Sequence, residues 1–200
     1  MNIPLLKIKK LSILKKNEVL LNGVDFFLHE KETVGLFGRS GSGKSVFSLF
    51  INGLLNFNVF SISSEEAVFL TKKASFNLLN NSNSDWNFFR SRFVSMVFQD
   101  PSSSLNPTLT CGFQLSEGFS FLCKKKSIDL KKKCISLLKE VGIENPEKTF
   151  NSFPHELSGG QKQRVVIAIA LSKKLTLLKK QVELIELLAW FSKAMVPLYQ

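Results

Sequence analysis

The sequence of 200 residues predicts an α/β fold with a smaller helical insertion, and three observations support this prediction. Short apolar segments of strand length alternate with longer segments whose apolar residues recur at helical spacing. A glycine-rich loop lies between a predicted strand and a predicted helix. Hydrophobic residues make up 44% of the chain and charged residues 22%, a composition that is apolar enough to form a buried core.

Four segments are predicted to be strands. Residues 5–14 and 19–28 carry apolar side chains at strand-like positions, and Asn22-Gly23 is expected to turn the second segment. Residues 32–37 and 93–98 are short and mostly apolar, as in strands that are buried on both faces. We therefore expect these two segments in the core.

Three helices and one loop complete the prediction. A helix over residues 44–55 is expected to end near Gly53. Residues 127–141 have a helical apolar stripe that Gly142 ends, and a further helix is expected over 159–171. Asn and Ser dominate residues 77–85, which are predicted to form an exposed loop.

The net charge of +11 comes from 23 Lys and only 4 Arg beside 16 acidic residues. Arginine is the side chain that forms bidentate bonds with phosphates and base edges. Because arginine is scarce, the charge favours a solvated lysine surface over a nucleic-acid-binding one, and no nucleic-acid partner is expected.

Cysteine usage and hydropathy predict a soluble chain in a reducing compartment. The three cysteines lack metal-ligand spacing, and their odd number favours free thiols; they are Cys111, Cys123 and Cys134. Residues 45–64 are uncharged and long enough to span a bilayer, but they contain three Asn and five Ser. A membrane span is therefore not expected there, although the chain is suited to docking on a membrane partner.

Residues 38–45 match the pattern G-x-x-x-x-G-K-S of a phosphate-binding loop in full. Glycines allow the chain to direct successive backbone N–H groups at phosphate oxygens, and the following helix offers its partly positive N-terminus. Lys44 is expected to reach the β- and γ-phosphates, and Ser45 to coordinate magnesium. The predicted binding residues are Gly38, Arg39, Ser40, Gly41, Ser42, Gly43, Lys44 and Ser45.

A second motif, Leu-Ser-Gly-Gly-Gln, occupies residues 157–161. Ser158 is a suitable helix N-cap, and two glycines permit close approach of the backbone to a ligand. The helix that starts here would direct another positive end at an anion. The predicted binding residues of this motif are Ser158, Gly159, Gly160 and Gln161.

Together these motifs resemble those of the ATP-binding subunit of ABC transporters, whose signature is Leu-Ser-Gly-Gly-Gln. Residues 97–101, Val-Phe-Gln-Asp-Pro, are similar to the family's Q-loop, with Gln99 at the position that senses magnesium and water. Residues 99–107 and 153–156 are similar to subunits of oligopeptide, dipeptide and nickel importers. The resemblance covers residues 5–171, most of the chain.

The resemblance implies a P-loop NTPase-type ABC nucleotide-binding domain over residues 1–174, with a parallel-sheet core, an antiparallel β subdomain and a helical insertion at about 102–157. ATP and Mg²⁺ would be the cofactors, with Ser45 and Gln99 holding the metal. Two such subunits, identical or different, would pair head to tail, so that Ser158 and Gly160 contact phosphate in trans. Transmembrane permease subunits, and indirectly a solute-binding protein, would be the other partners. The chain would lie peripherally at the cytoplasmic face of the plasma membrane.

The residues after the signature depart from the family. The family has a strand ending in Asp-Glu, then a later His; an ungapped alignment places Gln181 and Val182 at the Asp-Glu positions. No aspartate follows Asp129, and a slipped alignment using Glu183 as the base is disfavoured because no Asp precedes it. No catalytic residue is identifiable. We expect a truncation or frameshift after about residue 174, with residues 175–200 a divergent, helical tail.

Three functions are consistent with this sequence. The first is an ATP-energised importer subunit for peptides or nickel. The second is a remnant that binds ATP without hydrolysing it, since the carboxylates are missing. The third is a soluble ATPase of the same superfamily that acts on DNA or ribosomes. Residues 99–107 and 153–156 favour an importer origin over the third.

Overall fold

The computed structural model describes residues 4–71, 75–79, 81–98, 100–120 and 128–174. The chain divides into two compact units, Met1–Arg90 and Ser91–Gln200. The first contains β1 (Leu6–Lys15), β2 (Glu18–Leu28), α1 (Lys44–Ile51), β3 (Phe60–Ser63), β4 (Glu66–Leu70), β5 (Ser75–Asn77) and most of α2 (Asn83–Arg92). The second contains α3 (Cys111–Ser120), α4 (Ile128–Glu140), α5 (Pro146–Asn151), a 3₁₀ turn (Pro154–Glu156) and α6 (Gly159–Lys174).

The sheet of the first unit is built around β1. The strand order is β2-β1-β4-β5, and β3 also pairs with β1. A strand directs successive residues to opposite faces, and β1 buries Leu6 and Ile8, then Leu11 and Ile13; a register shift between Ile8 and Leu11 inserts one residue between the two pairs. In the described part of the chain β1 pairs with β2, β3 and β4, and β4 pairs with β5, all antiparallel; this agrees with the expected antiparallel β subdomain and with a mixed α/β fold.

The predicted turn at Asn22-Gly23 is wrong. Lys15 pairs with Glu18, so the β1–β2 hairpin turns at Lys16 and Asn17, and β2 continues through Gly23. Gly23 has φ +62° and lies at a shift in the β1–β2 register. A glycine with positive φ suits a β-bulge as well as a turn, which explains why the dipeptide misled the prediction.

Residues 32–37 and 93–98 do not form the predicted strands. Val34, Leu36 and Phe37 are exposed, and Phe37 presents 93% of its surface. A strand exists only where a neighbouring strand supplies hydrogen-bond partners. Within the described ranges no such pairing reaches either segment, so their apolar composition alone does not place them in a sheet.

The predicted helix ends are confirmed where the structure describes them. Gly53, with φ +62°, follows α1, and Gly142, with φ +80°, follows α4. The N–H of Ile143 donates to the carbonyl of Leu138 at 3.0 Å, which satisfies an acceptor at the end of α4. Helix α6 begins at Gly159 as predicted and extends three residues further than expected.

Residues 77–85 are not the exposed loop that was predicted. Leu78 is fully buried, and α2 begins at Asn83. The hydroxyl of Ser82 accepts the N–H of Asp85 at 3.2 Å, while the Asp85 carboxylate accepts the N–H of Ser82 at 3.0 Å. This reciprocal pair is a capping box, and its S-x-x-D pattern was the signal in the sequence that a helix starts here.

Separate apolar clusters stabilise the two units. In the first, Phe69, Phe76, Trp86 and Phe89 form a chain of ring contacts with centroids 4.4–5.6 Å apart. The cluster of the second unit includes Cys111 and Cys134, whose thiols are free, as predicted. Burial raises the pKa of each of these thiols to about 11.

Three predictions fall outside the described residues. They concern Gln99, Cys123 and the helical tail at 175–200. In the part of the chain that is described, no helix is both long and apolar enough to cross a membrane.

Candidate functional site

The phosphate loop leads directly into α1, which is fixed to the sheet. Phe47 and Phe50 of α1 are buried, and the Phe47 ring meets the Phe26 ring of β2 edge to face, with centroids 5.0 Å apart. The loop residues themselves are exposed or half-buried. A rigid helix therefore holds one end of a loop that remains open to a ligand.

The loop is curled around the ammonium group of Lys44. Lys44 Nζ donates to the carbonyl oxygens of Gly38 and Arg39, both at 2.7 Å, and to Ser42 Oγ at 3.1 Å. The N–H of Ser42 also donates to the Arg39 carbonyl at 3.2 Å, which closes a turn. The structure thus brings the predicted residues of the motif together around one positive charge.

Three glycines of the loop have positive φ: +159° at Gly38, +80° at Gly41 and +85° at Gly43. At Gly43 a Cβ would lie 2.5 Å from Leu21 Cδ2 and 2.7 Å from the Leu20 carbonyl oxygen, whereas at Gly41 the space is open. Gly43 is therefore required both for its backbone conformation and for the close approach of the loop to β2. Leu20 and Leu21 were not predicted to be part of the site, because no sequence signal joins them to the loop.

The N-terminus of α1 suits an anion. Its N-cap is Gly43, which makes no side-chain cap bond, and its first turn contains no acidic residue. The first amides of the helix therefore lack a side-chain acceptor, and the helix dipole adds positive potential there. Backbone N–H groups and the Lys44 ammonium are donors that fit phosphate oxygens, and the hydroxyl oxygen of the exposed Ser45 fits a hard cation.

The second motif lies in the second unit and starts α6 as predicted. Ser158 Oγ accepts the N–H of Gln161 at 3.3 Å, and Gln161 Oε1 accepts the N–H of Ser158 at 3.0 Å. Gly159 and Gly160 are exposed, with open space where a Cβ would lie. The Gln161 side chain thus caps its own helix, and the two glycines present bare backbone to solvent.

An ordered loop follows Gln99 in the second unit. The Asp100 carboxylate accepts the N–H of Ser102 at 2.9 Å, and this bond is the main reason that the pKa of Asp100 lies below its ordinary value. Gln114 is buried and uses both ends of its amide: its oxygen accepts the N–H of Asn106, and its nitrogen donates to the carbonyls of Asn106 and Leu109. Sequence reasoning missed Gln114, which determines the shape of this loop.

Residues 21–179 match the family model of the ABC transporters. This range includes both motifs and the residues between them.

Curated relatives include peptide-transport proteins. The chain is 41% identical over 152 residues to the oligopeptide transport ATP-binding protein AppD of Bacillus subtilis, a match that covers 76% of the chain and 45% of the relative. It is 42% identical over 175 residues to the oligopeptide transport ATP-binding protein OppD of the same organism, covering 84% of the chain and 47% of the relative. The chain therefore spans about half the length of the curated relatives it matches.

A solved structure has the same fold. The ATP-binding cassette MJ0796, determined as a dimer bound to ADP and Pi, aligns with a TM-score of 0.66 and 28% identity. The alignment covers 84% of this chain and 69% of that one.

Proposed function

The chain belongs to the ABC transporter family, and on that premise we propose that it is an ATP-binding subunit of a peptide importer. The observation that carries the proposal is the phosphate loop, curled around the Lys44 ammonium at the uncapped N-terminus of α1. Peptides are favoured as the cargo because relatives at 41–42% identity are named as oligopeptide transport proteins.

We propose that the triphosphate displaces the loop carbonyls from Lys44. The ammonium then binds phosphate oxygens, and the first amides of α1 donate to the same group. Ser45 and Gln99 would hold Mg²⁺, which neutralises charge on the phosphates when it is bound. Gly38, Gly41 and Gly43 supply the backbone shape, while Arg39 and Ser40 contribute their main chain.

The second motif would act on the nucleotide of another subunit. Gly159 and Gly160 present exposed backbone at the start of α6, and Ser158 is held in place by its reciprocal bonds with Gln161. A head-to-tail pair would bring this helix N-terminus to the phosphates of the partner subunit. Support comes from MJ0796, a dimer in its solved structure.

The proposed partners are the other proteins that a peptide importer needs. Permease subunits in the membrane would receive the movement of the paired domains, and a solute-binding protein would deliver the peptide to them. The chain would then lie peripherally at the cytoplasmic face of the membrane.

A second candidate function is nucleotide binding without hydrolysis. The family positions for Asp and Glu are occupied by Gln181 and Val182 in an ungapped alignment. An amide and an aliphatic side chain cannot polarise an attacking water as carboxylates do. We propose that the isolated 200-residue chain binds ATP and releases phosphate no faster than a Lys44→Met variant does.

Calorimetric titration of Mg·ADP and a phosphate-release assay with Mg·ATP test these proposals. We expect Lys44→Met to weaken ADP binding at least tenfold, because it removes the ammonium and keeps the length of the side chain. Lys15→Met, at an exposed lysine of β1, is the matched control and should stay within twofold. Parent-like binding by Lys44→Met would refute the phosphate site, and phosphate release above the Lys44→Met background would refute the non-hydrolysing candidate.

A further inference from the structure

We propose that Arg90 is a positioning residue for the phosphate loop. It donates to the carbonyl oxygen of Gly53, which follows α1 at the end opposite the phosphate loop. This role rests on the proposed nucleotide-binding function, because the property that Arg90 would control is the placement of the Lys44 ammonium and of the first amides of α1.

The guanidinium group of Arg90 joins α2 to the end of α1. Its Nη1 donates to the carbonyl oxygen of Gly53 at 2.8 Å, and its Nη2 donates to Asn87 Oδ1 at 2.6 Å. A cation beside the carbonyl end of a helix interacts favourably with the helix dipole and satisfies an acceptor that has no partner within the helix. Because the planar guanidinium makes both bonds at once, the direction of its hydrogen bond to the Gly53 carbonyl is fixed.

Two further contacts fix the position of Gly53. It has φ +62°, and the N–H of Leu54 donates to the carbonyl of Leu49 at 2.9 Å, which closes the last turn of α1. The ring of Trp86 lies directly against this glycine, so that a Cβ at residue 53 would overlap with the ring. Trp86 and Arg90 are four residues apart on α2 and hence lie on the same face of that helix.

Helix α2 holds Arg90 in a fixed position. Ser82 and Asp85 cap its start reciprocally. Trp86 is 3% exposed and Phe89 is fully buried, and the Phe89 ring stacks on Phe76 with centroids 4.4 Å apart. The aromatic core of the first unit therefore supports the position of α2.

The bond between Arg90 and Gly53 can affect the phosphate loop because α1 is short. Its eight residues span about 12 Å, so the helix moves as one body and a shift at Gly53 changes the position of Lys44. Phe47 and Phe50 bury one side of α1, and the bond from Arg90 to the Gly53 carbonyl adds a contact beyond the last residue of the helix. Binding sites need their donors placed to within about 0.5 Å, so a small tilt is sufficient to weaken phosphate binding.

The second unit contains an equivalent contact that serves as a control. Arg164 Nη1 donates to the carbonyl oxygen of Gly142 at 2.7 Å, and Gly142 also follows a helix and has positive φ. Arg164 joins α6 to the end of α4, and neither helix carries the phosphate loop. Its removal should cost a similar guanidinium–carbonyl bond without changing the nucleotide affinity of a monomer.

The test measures Mg·ADP affinity of the 200-residue chain at a dilution at which it is monomeric, with folding checked by circular dichroism. We expect Arg90→Met to weaken ADP binding five- to tenfold, and Arg90→Lys to weaken it about threefold, because an ammonium can still reach the Gly53 carbonyl but not Asn87 as well. Arg164→Met should remain within twofold of the parent. Hydrogen exchange at the amides of Phe47 and Ser48, the first in α1 with helical acceptors, should rise in Arg90→Met and not in Arg164→Met.

Parent-like ADP affinity in a folded Arg90→Met variant would overturn the positioning role, and so would equal losses in Arg90→Met and Arg164→Met. If Arg90→Met does not fold, Arg90→Lys decides: parent-like affinity overturns the proposal, and a loss of about threefold supports it. A failure of the proposed function is distinguished by Lys44→Met, which would then bind ADP as well as the parent does.

Discussion

The ammonium of Lys44 donates a hydrogen bond of 2.7 Å to the carbonyl oxygen of Gly38, six residues earlier in the chain. A second carbonyl, that of Arg39, accepts from the same group at 2.7 Å. The loop is thus shaped around its lysine by the main chain, which offers the ammonium neutral acceptors. Negatively charged phosphate oxygens make stronger, charge-assisted bonds with an ammonium than neutral carbonyls do.

Gly43→Ala should destabilise the protein more than Gly41→Ala, although both glycines have positive φ. Alanine at residue 41 meets open space and costs only the conformational strain of about 1 kcal/mol. Alanine at residue 43 also overlaps with Leu21 and with the Leu20 carbonyl, which raises the cost to about 3 kcal/mol. Urea unfolding of the two variants measures the difference; equal losses would show that the loop does not press against β2.

The stability that Asp85 contributes should depend on pH. Hydrogen bonds from the Ser82 hydroxyl and then the Ser82 N–H hold the pKa of Asp85 below its ordinary value of 3.8. Because the folded-state pKa is the lower one, the contribution is present above pH 3.8 and is lost as the pH falls through the lowered pKa. The free energy of unfolding of the parent should exceed that of Asp85→Asn at pH 6. The difference should shrink toward pH 2, and a difference independent of pH would contradict the capping role.

Gln114→Leu should destabilise the second unit by about 3 kcal/mol. The variant leaves the N–H of Asn106 and the carbonyls of Asn106 and Leu109 without their partner in a site where residue 114 is only 8% exposed. Gln163→Leu, a half-buried glutamine on α6, is the control and should change the free energy of unfolding by less than about 1 kcal/mol. A loss no larger than that of the control would mean that the loop keeps its shape without Gln114.

Cys111 and Cys134 should be unreactive in the folded protein. Burial, with a smaller effect of Glu156 on Cys111, raises the pKa of both thiols to about 11, so that about one in a thousand is ionised at pH 8. In a Cys123→Ser background, a thiol reagent such as DTNB should modify neither residue until denaturant is added, and then both. Rapid modification of the native chain at pH 8 would indicate that α3 and α4 do not pack as described.

Features that depend on neighbours in the sequence were predicted well. The phosphate loop, the Ser158 cap of α6 and the glycine after α4 each join residues within about six positions of one another, so the local pattern contains the whole interaction. Helix α2 was not predicted, although the Ser82–Asp85 capping box at its start is an equally local signal.

The sequence by itself determined which residues form the glycine-rich loop around the Lys44 ammonium and where α1 and α6 begin, since backbone conformation, caps and glycine positions are local properties. Only the tertiary structure decided that Gly43 lies against Leu21, that Arg90 holds Gly53 from 37 residues away and that the apolar residues 32–37 remain exposed. Those outcomes depend on which distant segments pair and pack, and the free energy of such contacts comes from partners that no short window of sequence contains.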